Sequence, residues 1–145
     1  MKGFHIIRPD QHKTEVIDTR VARVYKDAND IVVIIMKNAG VIDEADMTDL
    51  NLVIRQLAGN KAVYKLLDAR ATFDMDKKAK MLTEKEELIS KTKARAIIEA
   101  NSIKASLHNF LKQFSHDMYP QQFFTEYDEA YHWLIDLKKH NALEF

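Results

Sequence analysis

There is no cysteine in this 145-residue chain, which removes disulfides, thiolate nucleophiles and cysteine-ligated zinc together. Glycine and proline are almost as scarce, at 3 and 2 residues, leaving no flexible linker, no low-complexity tract and no glycine-rich phosphate loop. Charge of one sign is missing too. The 22 Lys plus Arg match 22 Asp plus Glu, so no net field draws the chain toward nucleic acid or anionic lipid. Long hydrophobic runs are absent. The longest, "IVVIIM" at Ile31 to Met36, is far too short to span a bilayer. The opening "MKGFHIIRPDQHK" interrupts its apolar residues with charge and proline, so it offers no signal-peptide core. These exclusions predict a cytoplasmic protein without membrane insertion and without a nucleic-acid partner. The length fits one domain, residues 1–145, with a core over about residues 15–139.

What is present alternates between strand and helix signals. "EVIDTRVARVYK" (Glu15 to Lys26) is rich in β-branched residues and mixes polar with apolar positions, as a half-exposed strand does. The turn residues "DAND" separate it from Ile31 to Met36, so the two read as a hairpin whose second strand is buried on both faces. Met47, Leu50, Ile54 and Leu57 then recur at helical spacing behind acidic Asp43, Glu44 and Asp46, and Gly59 ends that helix. "AVYKLLD" (Ala62 to Asp68) and "ARAIIEA" (Ala94 to Ala100) are buried strands, with a charged helix from Asp74 to Lys91 between them. That helix carries Met75, Ala79, Leu82 and Ile89 on its apolar side, with Asp74 and Asp76 as its caps. Ile103, Leu107, Phe110, Leu111 and Phe114 trace another helix, capped by Asn101 or Ser102. "QQFFT" is a short strand. Ala130, Trp133, Leu134 and Leu137 form the stripe of a last helix, with Thr125 and Asp128 at capping-box spacing. The predicted order β-β-α-β-α-β-α-β-α implies an α/β fold, a mixed and mostly parallel sheet with an N-terminal antiparallel hairpin and about four helices.

This pattern resembles the STAS domain of anti-sigma-factor antagonists. "TRVARVYKDANDIVVIIMKNAGVIDEADMTD", "KLLDAR" and "FFTEYDEAYHWL" resemble, more narrowly, an uncharacterised STAS-like group of small bacterial proteins, over roughly Glu15 to Lys139. In the antagonists, the strand matching Ala62 to Asp68 leads into an Asp-Ser-Ser-Gly type motif whose serine is phosphorylated to release the partner. Here the matching residues are Asp68, Ala69, Arg70 and Ala71. The aspartate fits and the serines are missing; Thr72 is the nearest hydroxyl. The resemblance therefore implies a regulatory protein-interaction module without the phosphoserine switch, with Asp68, Arg70 and Thr72 as its partner-binding residues. STAS-like folds are also similar in shape to lipid-carrying SEC14 domains. The alternative is therefore a binder of a small apolar, lipid-like ligand in a cavity under the helix Ile103 to Phe114. The oligomeric state stays open, a homodimer included.

The remaining residues give little catalytic chemistry. His108 and His116, eight apart on one helix, are offset by about 80° and about 12 Å, too far to share a metal. His132 and His140 have the same spacing, and His5 and His12 precede the fold. No metal, no cofactor and no catalytic residue is expected; no nucleophile elbow is present. "TEKEELISKTKAR" reads as an exposed helix face, with Glu87 and Lys91 as an i,i+4 pair. Phe123, Phe124, Tyr127, Tyr131 and Trp133 read as packing residues.

Overall fold

The computed structural model of the protein describes residues 15–59, 61–89, 91–113 and 119–142. Val16–Asp18 (β1), Ala22–Lys26 (β2) and Ile31–Met36 (β3) form an antiparallel meander. The single strand expected over residues 15–26 is thus two. Thr19 divides it, because its hydroxyl accepts the Val21 and Ala22 amides at 3.2 and 3.0 Å and closes a turn. The "DAND" turn forms as expected: Asp27 Oδ1 accepts from Asn29 N and Ile31 N at 2.9 and 3.0 Å, and Asp30 takes a left-handed φ of 61°.

After β3 come Gly40–Ile42 (β4), Glu44–Ala58 (α1), Val63–Ala69 (β5), Phe73–Met75 (β6), Lys77–Ile89 (α2) and Thr92–Glu99 (β7). Ala105–Lys112 (α3), Gln121–Phe124 (β8) and Tyr127–Ala142 (α4) complete the order. The main sheet runs β1-β2-β3-β5-β7-β8, parallel from β3 onward. The α/β class, the mostly parallel mixed sheet, the antiparallel start and the four helices all agree with the sequence reading. The composition of β3 follows from its place. It pairs with β2 on one side and β5 on the other, and both faces are covered, so apolar residues are needed at nearly every position.

One face of the sheet carries α1, α2 and α3, whose Met47, Leu50, Ala79, Leu107 and Phe110 join a core with Val24, Ile34, Val63 and Ile97. The opposite face carries α4. There Ala130 and Leu134 are fully buried on Val33, Leu66 and Ile98, and the small side chains of Ala94 and Ala96 leave room for the helix. Trp133, on the expected stripe, is half-buried at the rim, its ring 5.8 Å from Phe124. The α4 face is also tied to the "DAND" turn. The Tyr131 hydroxyl donates to Asp27 and accepts from Asn29 Nδ2, and burial with the Asp27 bond pushes its pKa up to about 12.

The start of α1 agrees with the expected acidic N-terminus, and those of α2, α3 and α4 differ from the expected ones. In α1, Asp43 and Asp46 form a reciprocal capping box, and Arg20 from the β1–β2 turn donates to Asp46 at 2.9 Å. Residues 73–75 are strand β6 rather than helix, because they pair in parallel with β4. Asp76 alone caps α2, accepting the Ala79 amide at 2.8 Å. Asn101 and Ser102 do not cap α3. A turn closed by Ile103 N to Ala100 O comes first, and Lys104 holds the N-cap position without a side-chain bond. α4 starts at Tyr127, which puts Glu126, not Thr125, at the capping position. Phe114 lies outside the described residues.

Candidate functional site

The carboxyl ends of β3, β5 and β7 meet at one edge of the sheet, where open α/β folds place their ligand and partner sites. Asp68 is the last residue but one of β5. It is buried, and a buried carboxylate requires compensation. Arg70 supplies it from two residues away: Nε donates to Oδ1 at 2.9 Å, Nη2 to Oδ2 at 2.8 Å, and the Arg70 amide to Oδ1 at 3.1 Å. The two-point bond fixes the guanidinium. It also engages both Asp68 oxygens, so the buried carboxylate orients the guanidinium. The Arg70 side chain remains 44% exposed, and two of its five N–H donors are spent on Asp68.

Thr72 is exposed on the same turn, and its amide donates to Asn38 Oδ1, just beyond β3, at 2.8 Å. The β4–β6 pair braces this region. Gly40 sits opposite Phe73 at φ 66°, a conformation that favours glycine, and the segments leaving β3 and β5 run side by side before their helices. The Asp68–Thr72 turn is therefore held from both sides. The structure places the three expected residues on one turn, and the Asn38 side chain, which no local pattern pointed to, bonds to it.

Around them the edge is a set of satisfied polar pairs. Asp74 accepts its neighbour Met75's amide at 2.8 Å and Lys104 Nζ at 3.2 Å, and these bonds hold its carboxyl below the usual range. Glu99, at the end of β7, meets His108 Nδ1 at 2.7 Å, and the His108 ring lies 4.5 Å from that of Phe123. His132 and His140 are exposed on α4, while His5, His12 and His116 lie outside the described residues. Among the described residues no cluster of His, Asp and Glu is arranged to hold a metal ion, and no helix is long and apolar enough to cross a membrane.

Two further expectations change. Glu87 is not on an exposed face paired with Lys91. It is buried, accepting Arg95 Nη1 at 2.9 Å on one oxygen and the Tyr119 hydroxyl on the other. Ile89, expected on the apolar side of α2, is 68% exposed. The cavity looked for beneath residues 103–114 is displaced: a cavity of about 540 Å³ lies mainly between α1, α2 and the sheet, with Phe110 and Leu111 as the contribution of α3.

The similarity to a solved structure shows the fold. The chain is similar to an uncharacterised protein of the DUF3478 family, with a SpoIIAA-like fold, from Shewanella loihica PV-4. The TM-score is 0.59 and the identity 18%, over 86% of this chain and 98% of that one. The fold is therefore SpoIIAA-like, that is, STAS-like. Residues 25–138 match the family described as a domain of unknown function, DUF7793, and the chain belongs to that family. No curated protein matches it.

Proposed function

We propose that the protein is a non-enzymatic regulatory module that binds a protein partner constitutively, through the surface formed by Asp68, Arg70 and Thr72. The observation that supports this reading is the Arg70 guanidinium, held by a buried carboxylate yet open to solvent at the carboxyl edge of the sheet. A guanidinium immobilised before binding loses little rotamer entropy when it meets a carboxylate. The positions at which a phosphoserine switch would need a hydroxyl are Ala69 and Arg70, so the contact is not gated there.

The Asp68 bond decides which variant tests this. Arg70→Glu would set a second carboxylate against buried Asp68 and disturb the fold. Arg70→Lys keeps a cation beside Asp68 and removes only the planar fork. Immobilised Arg70→Lys protein should capture its partner from a lysate of the source organism at least about tenfold less well than wild type, the loss of one charge-assisted hydrogen bond. Its Tm should stay within a few degrees of wild type. Undiminished capture by a folded Arg70→Lys protein would remove Arg70 from the interface.

A further inference from the structure

β5 alternates, so Lys65 points to the same side as Val63 and Leu67, the side covered by α1, α2 and α3. It is only 7% exposed. In the parallel register its neighbour on β7 is Arg95, equally buried, so two cations stand side by side on the inner face of the central sheet. Like charges in adjacent buried positions cost folding free energy unless each has a partner.

Arg95 has its partners. Nη1 donates to Glu87 at 2.9 Å, Nε to Gln121 at 2.7 Å, and the guanidinium lies 5.8 Å from the centre of the Tyr119 ring. Both Glu87 oxygens are then engaged, since the other one takes the Tyr119 hydroxyl. Lys65 has none: among the described residues its ammonium makes no hydrogen bond and no ion pair. Burial accordingly pushes its pKa down, against a weaker pull from the Glu87 charge.

What Lys65 does face is the cavity of about 540 Å³, which it lines together with Ile34, Met36, Leu67, Phe73 and Met75. That volume falls in the range of small-molecule sites, and the pattern of apolar walls with a few placed polar groups is theirs as well. The electrostatic balance has one sign. Arg55, Lys61, Lys65, Lys91 and Arg95 line the cavity against Glu86 and Glu87, five cations to two anions in a chain of zero net charge. Both glutamates are engaged, Glu86 by Arg55 at 3.0 Å and Glu87 by Arg95.

We infer that this cavity binds a small amphiphilic anion, a monocarboxylate with an apolar body, whose head group pairs with Lys65. One uncompensated ammonium matches one negative charge. A nucleotide or other polyanion would need several converging donors, whereas Arg95 beside Lys65 is already bonded to Glu87 and Gln121, and Val63 and Leu67, which flank Lys65 on the same side of β5, are apolar. The apolar body takes the space between Met36 and Phe73, and the carboxylate supplies the acceptor that Lys65 lacks. The site lies on the inner face of the sheet and is independent of the Arg70 surface.

Decanoate, below its micellar concentration, is the probe, with decanol as the uncharged control of equal chain length. Titration calorimetry on the full chain should show saturable decanoate binding, at least about tenfold tighter than decanol, and decanoate should raise Tm with concentration. Lys65→Met replaces the buried ammonium with an apolar chain of similar length, so the variant should fold with a Tm no lower than wild type. It should lose at least about tenfold in decanoate affinity while decanol binding is kept. In wild type, the Lys65 ammonium, followed by NMR at its Cε carbon, should titrate at higher pH when decanoate is present, because an adjacent anion favours the charged form. Absent or non-saturable decanoate binding, equal affinity for decanol, or undiminished decanoate affinity in Lys65→Met would each overturn the proposal.

Discussion

Glu87→Ala should lower the unfolding free energy by about 3–5 kcal/mol, the cost of removing one partner from a buried ion pair. Glu87 and Arg95 are each about nine-tenths buried or more, so neither charge can be satisfied by water in place of the other. Without Glu87, Arg95 would stand beside Lys65 without its carboxylate partner, and the Tyr119 hydroxyl would lose its acceptor. Glu87→Gln should cost less, because the amide oxygen still accepts from Arg95 or Tyr119. Urea unfolding of the three proteins is the measurement. A loss below about 1 kcal/mol for Glu87→Ala would mean that Glu87 is not the counter-charge of the inner face.

On the opposite face, Leu134→Ala should cost about 2–5 kcal/mol, from lost burial plus the void left behind. Leu134 is 0% exposed and seats α4 on strands whose alanines, Ala94 and Ala96, have no side chain that can move into the space. Rigid small neighbours put the cost toward the upper end, since the site cannot collapse. The chain's single tryptophan, Trp133, lies next to the substitution and reports unfolding by fluorescence. A Leu134→Ala protein within about 1 kcal/mol of wild type would show that α4 is an appendage to the sheet rather than part of its packing.

The run "IVVIIM" made the sheet legible because a strand paired on both sides and covered on both faces has no room for polar residues. The order of the elements followed from similar runs. The strands that escaped notice, β4 and β6, are three residues long and carry too few positions for any period to show, and β1, equally short, merges with β2 in the sequence pattern. Asp74 looked like a cap because acidic residues before a helical pattern usually are; pairing of residues 73–75 with β4 overrode that local preference. The Asp68–Arg70 bond could be anticipated, since the two residues are neighbours in sequence. Asn38 could not, being 34 residues from Thr72.

The charged inner face was hidden for a different reason. Glu87 has Lys91 four residues on, a spacing that describes an exposed helical pair equally well, and nothing local in the sequence shows that Arg95 and Tyr119 reach it instead. Lys65 did leave a signal. It interrupts "AVYKLLD" at a position whose neighbours two residues away, Val63 and Leu67, are apolar. In a strand buried on both faces, one lysine at an inward position marks a site that must find a partner or a ligand.

Native mass spectrometry of the protein purified under gentle conditions from its own organism tests the central claim, constitutive binding of a protein partner, most directly. The reading predicts a stoichiometric complex with a second protein in which this chain carries its unmodified mass, and a complex lost in the Arg70→Lys protein. A chain found without any protein partner, or one phosphorylated at Thr72 and released from its partner, would contradict it.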